Sequence, residues 1–386
     1  MSPFIRVAVA ASLCSISIAA FSSSDLPLYP QVGNGVKPGM KGSYSYSDPE
    51  LCSNGLVHGC HFSGNLIYLS NYSQHSGSSR WTHDQQIPNV KLFTRLDLVK
   101  GVQLHALVKY NRVPSPVMHQ LDLAEAYLEK DFTDHRTNII LGKRWLPFGD
   151  YSSELYLSSL PKKLGHTDQT GLSMRFNQGG WSQEIYSFRQ DTRYINAGSP
   201  LGYGANLEFK NSQIRTGIGY INALNEASLM QYNLGTSGFY HHPISSDVPA
   251  MAAYANFKLG QYYLNSSAVS AIESFDSQDL SFNGRGAKPG ALSIEGGYHF
   301  SLFGNHAALI ARSEMTQQML SLRVPKDIYT LGLNYQLNHR VLLQLAVSRS
   351  YLYGVGDTAS QPAISRSIMG TGGYADNALL AVTIKL

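Results

Sequence analysis

The chain has 386 residues and a net charge of +4, and only 15% of its residues are charged while 11% are aromatic. Ordinary globular proteins carry about 25% charged residues, so this composition argues against a cytosolic enzyme. Beyond the N-terminal leader, no stretch approaches the ~18 apolar residues of a spanning helix, which excludes a helical membrane bundle. A chain that is poor in charge and rich in Tyr and Gly is typical of a membrane β-barrel.

The first 20 residues predict a signal peptide. Arg6 precedes an apolar run over 7–20, and small residues at Ser17 and Ala19 suit a signal-peptidase site. Residues 21–60 are rich in Ser, Gly and Pro and predict a periplasmic N-terminal extension. The barrel itself is expected over 61–386.

Two cysteines follow the leader, and we predict that Cys52 and Cys60 form a disulfide, because an exported chain meets an oxidising compartment. The alternative is a metal site, since His58 and His61 flank Cys60. The segment lacks paired C-x-x-C spacing, which favours the disulfide. No metal site is predicted.

The main signal along the chain is an alternation of apolar and polar residues in segments of about ten residues. In 102–111, for example, Val102, Leu104 and Ala106 face one side, opposite Gln103 and His105. The fourth, seventh and eleventh segments show the weakest alternation. In all, sixteen segments predict strands, near 61–72, 89–99, 102–112, 119–131, 136–146, 169–177, 180–190, 201–210, 212–222, 250–259, 261–272, 290–300, 305–315, 327–337, 340–350 and 376–386.

Short and long connections alternate between these segments. The long ones fall at 73–88, 113–118, 147–168, 191–200, 223–249, 273–289, 316–326 and 351–375. Tight periplasmic turns and long outer loops are typical of an outer-membrane barrel. We therefore predict an all-β fold, a transmembrane up-and-down antiparallel β-barrel of about 16 strands in the bacterial outer membrane. A soluble β-sandwich or propeller is the less favoured alternative.

The two faces of such a barrel have different solvents. Lipid offers no hydrogen-bond partners, so the sheet must close on itself, with one face toward hydrocarbon and the other toward water. Aromatic residues near strand ends suit the interfacial girdles of the outer face. Six of them are Tyr110, Tyr203, Tyr220, Tyr298, Phe300 and Tyr335.

Sixteen strands enclose a water-filled lumen, so transport is the expected function. The polar side of the alternation supplies the candidate pore-lining residues, of which six are basic and five acidic. They are Arg95, Asp97, Lys109, Glu125, Arg175, Glu208, Arg215, Glu295, Arg312, Glu314 and Lys385. This mixture predicts no particular ionic selectivity.

The loop 147–168 is the best candidate to fold into the lumen, because it is long and follows the fifth strand. Its candidate constriction residues are Tyr151, Tyr156, Lys162 and Lys163. Two adjacent lysines near a constriction would attract an anionic solute. The alternative is a solvated outer loop.

No catalytic site or cofactor is predicted. His299, His306 and Ser313 are close in sequence, but no G-x-S-x-G or comparable motif frames them. No basic patch or motif indicates a nucleic-acid partner. About 40 residues lie between the leader and the first strand. These are too few for the plug of an energy-coupled receptor, which has about 22 strands.

One motif points to a family. Residues 142–149 read G-K-R-W-L-P-F-G, and they are followed by D-Y-S-S at 150–153 and by L-G-H-T at 164–167. This stretch, where the fifth strand passes into the third outer loop, resembles the LbtU-like siderophore porins. The resemblance implies a plug-free, 16-stranded outer-membrane barrel that takes up a ferric siderophore without the usual energy-coupled receptor.

The predicted function is therefore solute uptake through an outer-membrane pore, with a ferric siderophore as the solute that the resemblance implies. The alternatives are a general diffusion porin and a barrel that acts in adhesion or host contact through its outer loops. The predicted partners are outer-membrane lipid and a small-molecule solute. The sequence is compatible with a monomer and with a homotrimer.

Overall fold

A computed structural model shows a closed barrel of sixteen antiparallel strands. It describes residues 59–78, 82–111, 121–132, 136–194, 201–232, 238–361 and 364–386. The predicted signal peptide and all but the last two residues of the predicted extension lie outside these ranges. Among the described residues, no helix is both long and apolar enough to cross a membrane.

The described residues form twenty strands. They are β1 (Gly59–His75), β2 (Thr82–Asp97), β3 (Val102–Asn111), β4 (Leu121–Asp131), β5 (Thr137–Trp145), β6 (Asp168–Gln178), β7 (Trp181–Arg189), β8 (Leu201–Lys210), β9 (Ile214–Ile221), β10 (Ala250–Leu259), β11 (Tyr262–Ala271), β12 (Ser281–Phe282), β13 (Arg285–Gly286), β14 (Gly290–Leu302), β15 (Asn305–Gln317), β16 (Asp327–Gln336), β17 (Val341–Tyr351), β18 (Thr358–Gln361), β19 (Ile364–Met369) and β20 (Tyr374–Lys385). Sixteen of them close the barrel in chain order, and β20 pairs with β1. All sixteen predicted strands coincide with barrel strands, so the predicted fold class is confirmed.

The remaining elements lie in the long connections. The helices are α1 (Leu160–Gly165), α2 (Ser228–Tyr232) and α3 (Gly238–His241). The four short strands form a separate sheet in the order β13-β12-β18-β19, which joins two outer loops and was not predicted. The connection predicted at 73–88 is also shorter than expected, because β1 and β2 continue into it as a paired hairpin.

The side chains divide between the outer and inner faces of the barrel as the alternation predicts. Leu141, Leu172 and Ile185 on the outer face are 55%, 49% and 61% exposed. The six predicted girdle aromatics occupy outer-face positions as well. On the inner face, large rings cover glycines of the next strand: a Cβ on Gly202 would lie 2.2 Å from the ring of Phe188. Glycine is required where another side chain approaches the backbone this closely.

A β-bulge explains the weak alternation of the fourth segment. Leu107 pairs with Glu125 and Val108 with Leu123, so Ala124 is an extra residue in β4. An extra residue reverses the phase of the alternation, because side chains alternate with a period of two. Leu121 and Leu128 therefore both face outward although their numbers differ in parity, and both are exposed.

Candidate functional site

The connection between β5 and β6, residues 146–167, lies inside the barrel; we call it the inner loop. Asp150 forms an ion pair with Arg215 of β9 and accepts a 3.0 Å hydrogen bond from Asn256 of β10. The Asp150 side chain is fully buried. Because Arg215 and Asn256 belong to strands distant from β5 in the barrel, the loop must cross the lumen to reach them.

A second set of contacts holds the loop further around the wall. Glu295 of β14 accepts hydrogen bonds from Ser153 Oγ at 2.5 Å and from the backbone N–H of Glu154 at 2.8 Å. Glu314 of β15 accepts one from the backbone N–H of Leu160 at 2.7 Å. The backbone carbonyl of Leu157 accepts one from Arg312 at 2.7 Å. Charged side chains of the wall thus satisfy backbone groups that would otherwise be buried without partners.

The tip of the inner loop is also packed by apolar contacts. Leu155 and Tyr156 belong to one buried cluster with Ile67, Ile310 and other inner-face residues of β1, β15, β17 and β20. A Cβ on Gly332 of β16 would lie 2.3 Å from Leu155 Cδ2, so glycine leaves the space for this side chain. Polar contacts anchor the loop on β9, β10, β14 and β15, and its tip also packs on β1, β17 and β20.

Of the four loop residues predicted at a constriction, three are buried. Tyr151 and Tyr156 are 3% and 4% exposed, and the Tyr151 hydroxyl donates to the backbone carbonyl of Phe148. Lys162 is 5% exposed, and its ammonium lies 5.1 Å from the centroid of the Trp145 ring. Only Lys163 is half-buried. A solute in the lumen would therefore meet Lys163 rather than the other three, because α1 packs its Lys162 side against the wall.

The predicted pore-lining residues all occupy inner-face positions of their strands, but they differ in exposure. Arg95, Asp97, Lys109, Glu125, Arg215 and Lys385 are half-buried. The remaining five are each less than 5% exposed: Arg175, Glu208, Glu295, Arg312 and Glu314. Arg312 Nε lies 3.0 Å from Glu314 Oε2, and Arg215 Nε lies 2.8 Å from Glu208 Oε2. These five residues pair with one another and with neighbouring groups and anchor the loop, so they are not open to solute.

A buried ion network on the inner wall was only partly predicted. Arg144 and Arg175 both pair with Glu184, and Arg175 Nε lies 2.8 Å from Glu184 Oε2. Arg175 Nη1 also lies 3.6 Å from Glu129. The alternation of β5 and β7 places Arg144 and Glu184 on the inner face, so their positions were readable from sequence. The burial of these side chains could not be read from the sequence.

The inner faces of β2 and β3 carry a column of basic residues. Lys91 lies directly opposite Lys109, and Arg95 lies directly opposite His105. Glu125, on the inner face of β4, lies next to this column, opposite Leu107. Lys91 was missed by the sequence analysis although it is in phase with Arg95. We call Lys91, Arg95, His105 and Lys109 the basic column. Arg95 and Lys109 are half-buried, whereas Lys91 and His105 are only 7% and 4% exposed.

The outer mouth of the barrel is partly filled by its own loops. Leu224, Met230, Phe239 and Phe275 are fully or almost fully buried in a single apolar cluster. That cluster joins four long connections to the outer ends of several strands, including Ile221 at the end of β9. The loops therefore pack together at the outer mouth of the barrel, and we call this packed group of loops the outer cap.

The remaining sequence predictions concern a disulfide and metal binding. Cys60 is disulfide-bonded, and Cys52 lies outside the described residues, so its pairing with Cys60 stays a prediction. Within the described ranges, no group of three or more His, Cys, Asp or Glu side chains is arranged to hold a metal ion.

Three solved structures have a similar fold, and one of them is described as an outer membrane protein. The fold matches Salmonella typhi OmpF in complex with daunomycin over 86% of this chain and 99% of that one, with a TM-score of 0.56 and 14% identity. Pseudomonas putida OprB matches over 87% and 96%, with a TM-score of 0.53 and 9% identity. The trimer form of Vibrio cholerae OmpT matches over 85% and 99%, with a TM-score of 0.52 and 11% identity. The chain is an outer-membrane β-barrel. Its fold is porin-like.

The relatives found by sequence comparison have names that do not state an activity. No family model matches the chain. A UPF0422 protein of Legionella pneumophila (strain Lens) is 28% identical over 258 residues, which are 61% of this chain and 48% of the relative. A UPF0422 protein of Coxiella burnetii (strain RSA 493 / Nine Mile phase I) is 25% identical over 206 residues, 51% and 44% of the two chains. The chain spans about half the length of the curated relatives it matches.

Proposed function

We propose that the barrel takes up a small solute across the outer membrane, and that this solute is a ferric siderophore. The observation that carries the proposal is the placement of the inner loop relative to the basic column. The loop is anchored on β14 and β15, whereas the basic column lies on the inner faces of β2 and β3. A solute that crosses the barrel would pass between them.

The motif that resembles the siderophore porins supports uptake through a barrel with an inner loop, because the inner loop begins at its residues. Gly142 has a φ of +136°, and a Cβ there would lie 2.3 Å from the carbonyl oxygen of Ala126. Phe148 is fully buried in the apolar cluster, and Gly149 turns the chain with a φ of +86°. Asp150 then anchors the loop on Arg215. The motif thus forms and anchors the start of the inner loop.

The choice of solute rests on the family resemblance and on charge. Ferric complexes of catecholate and carboxylate siderophores are anions, and a column of basic side chains complements them. Lys163 adds a half-buried cation from the loop side. A homotrimer is part of the same proposal.

A general diffusion porin is the second candidate, and the mixed charge of the open wall favours it. Asp97 and Glu125 share the half-buried inner face with Arg95 and Lys109. Such a mixture would pass small solutes of either sign with little discrimination. The two candidates predict different responses to the same solute.

Planar-bilayer conductance of refolded residues 21–386 tests both. Stable channels that a ferric siderophore blocks at low concentration, while the iron-free siderophore does not, support specific uptake. Channels that are indifferent to every ferric siderophore tried favour the general porin. If a correctly folded barrel opens no channel, the transport proposal fails, and the outer cap becomes the candidate for adhesion or host contact.

A further inference from the structure

Two histidines meet on the inner wall, near the turn that joins β14 to β15. His299 Nδ1 and His306 Nε2 are 3.1 Å apart, and the two rings are stacked with their centroids 5.0 Å apart. Phe303 and Gly304 form the turn between the two strands, both with positive φ. The turn fixes the register, so the two imidazoles are held together by the backbone of a single hairpin.

A carboxylate of the inner loop approaches the other side of the first imidazole. Glu154 Oε1 lies 3.1 Å from His299 Nε2. The backbone of Glu154 is fixed on both sides, because its N–H donates to Glu295 and its carbonyl accepts from Asn334 at 2.7 Å and Gln344 at 2.9 Å. A carboxylate that accepts from Nε2–H leaves the lone pair of Nδ1 free to point toward His306.

This is the arrangement of a metal-binding imidazole and its orienting carboxylate. A tetrahedral ion with metal–nitrogen distances of about 2.05 Å holds two imidazole nitrogens about 3.3 Å apart. The observed 3.1 Å between His299 Nδ1 and His306 Nε2 needs only a small adjustment to reach that separation. His306 is exposed and the His299 side chain is 26% exposed, so an ion in the lumen can reach both.

We propose that His299 and His306 bind a divalent transition-metal ion of the copper, nickel or zinc class, with Glu154 as the positioning residue. Imidazole nitrogen suits these ions, whereas hard cations such as Mg²⁺ prefer oxygen. With two protein ligands the ion keeps water in its other positions, so it binds exchangeably. The site goes beyond solute uptake and does not depend on it.

The charges around the site are compatible with a cation. Glu295 lies beside Glu154 and adds negative charge, while Lys258 of β10 opposes it. Arg312 is paired with Glu295 and Glu314, which neutralise it. The Tyr263 ring, with its centroid 5.4 Å from that of His299, limits the movement of this imidazole.

The competing explanation is a hydrogen-bonded chain that only fastens the loop. In that case the proton shared between His299 and His306 would be structural, and metal would bind no better here than at any other exposed histidine. The two explanations differ in stoichiometry. Other histidines also lie near carboxylates, such as His61 near Asp97 and His166 near Asp168. Among the described contacts, however, only His299 joins a carboxylate to a second imidazole.

Copper titration of the refolded barrel, followed by electron paramagnetic resonance and calorimetry, distinguishes them. We expect wild type to bind one more equivalent of Cu²⁺ with imidazole hyperfine coupling than either His299→Ala or His306→Ala. Glu154→Gln should still bind this Cu²⁺ ion but with about 10-fold lower affinity, which is the usual effect of losing an orienting carboxylate. The double variant H241A/H242A removes two outer-loop histidines and should retain the site.

Fold is checked by the heat-dependent gel mobility of each variant. If H299A and H306A both fold and bind copper with the stoichiometry and affinity of wild type, the site does not exist. If only Glu154→Gln is without effect, the positioning role of Glu154 is wrong. Loss of one equivalent in H241A/H242A, with none lost in H306A, would move the site to the outer loop and overturn the proposal.

Discussion

Lys91 and Lys109 occupy directly opposite positions on the inner faces of β2 and β3. Like charges at directly opposite positions destabilise a sheet. Asp122 of β4 lies directly opposite Lys109, and Glu125 lies opposite Leu107, so these two carboxylates offset part of the repulsion. An anion that passes along this face would be attracted by the remaining positive charge.

Replacement of Lys91 and Lys109 by Gln should make the channel less selective for anions. Each lost charge is worth about 1 kcal/mol, or roughly fivefold in the affinity of an anionic blocker. The measurement is the reversal potential in a salt gradient, together with the concentration of ferric siderophore that halves the current.

Lys288→Gln is the matched control, because Lys288 is exposed in the connection between β13 and β14 and lies outside the barrel strands. An unchanged reversal potential in the double variant, with normal folding, would exclude the basic column from the solute path.

Asp150→Ala should loosen the inner loop. The Asp150 carboxylate is fully buried against Arg215, and removal of one partner of a buried pair typically costs about 3–5 kcal/mol. Single-channel recordings should show larger and noisier conductance, and the variant should unfold at lower temperature. Glu273→Gln, in an exposed outer loop, should behave as wild type. Quiet channels of wild-type size in D150A would mean that other contacts suffice to hold the loop.

The barrel could be predicted because its signal is repeated and local. Each strand shows a period of two, and lipid requires that period on every strand. The exception was β4, where the extra residue Ala124 breaks the phase and no local pattern reveals a bulge. The small outer sheet was missed for a different reason. Its strands have as few as two residues, and the central pair, β12 with β18, joins residues more than 70 positions apart in sequence.

The candidate site was predictable only in part. Inner-face positions follow from alternation, so Arg95, Lys109 and Glu125 could be placed. Whether a charge is open or covered depends on where the inner loop lies, and that is a long-range property. Glu295 and Glu314 therefore face inward as expected but bind the loop, and Lys162 is buried against Trp145. Lys91, in phase with Arg95, could have been found from the alternation alone.

Gly142→Ala should damage the start of the inner loop. At a φ of +136° any side chain is strained, and the new Cβ would lie 2.3 Å from the carbonyl oxygen of Ala126. Overpacking and backbone strain together should cost at least about 2 kcal/mol. Urea titration of the refolded barrel measures this free energy of unfolding.

Gly296→Ala is the control for that experiment, since its Cβ would meet nothing closer than 3.7 Å. It should be neutral or slightly stabilising, because alanine restricts the unfolded chain. Equal stability of G142A and G296A would show that β5 can relax around residue 142.

The stability of the outer cap should depend on pH through Glu226. Its carboxylate accepts backbone hydrogen bonds from Asp191 and Thr192, both at 2.9 Å, and a side-chain bond from Gln169 at 2.7 Å. Burial raises the pKa of Glu226 from 4.5 to about 7. A raised pKa means that the neutral form stabilises the folded loop. The contribution is complete below pH 4.5 and is lost as the pH rises through 7.

Between pH 5 and pH 8 this loss amounts to about 2.5 kcal/mol, which corresponds to roughly 50–100-fold in a local protection factor. Amide hydrogen exchange of 224–232, corrected for the intrinsic rate at each pH, should therefore be faster at pH 8. Glu226→Gln cannot ionise. Its single amide oxygen keeps only one of the two backbone bonds, because Asp191 and Thr192 donate to different carboxylate oxygens. Its protection should therefore be lower than that of wild type at pH 5 but should not change over this range. If wild type and E226Q show the same pH dependence, the carboxylate is ionised in the folded cap and its hydrogen bonds outweigh its burial.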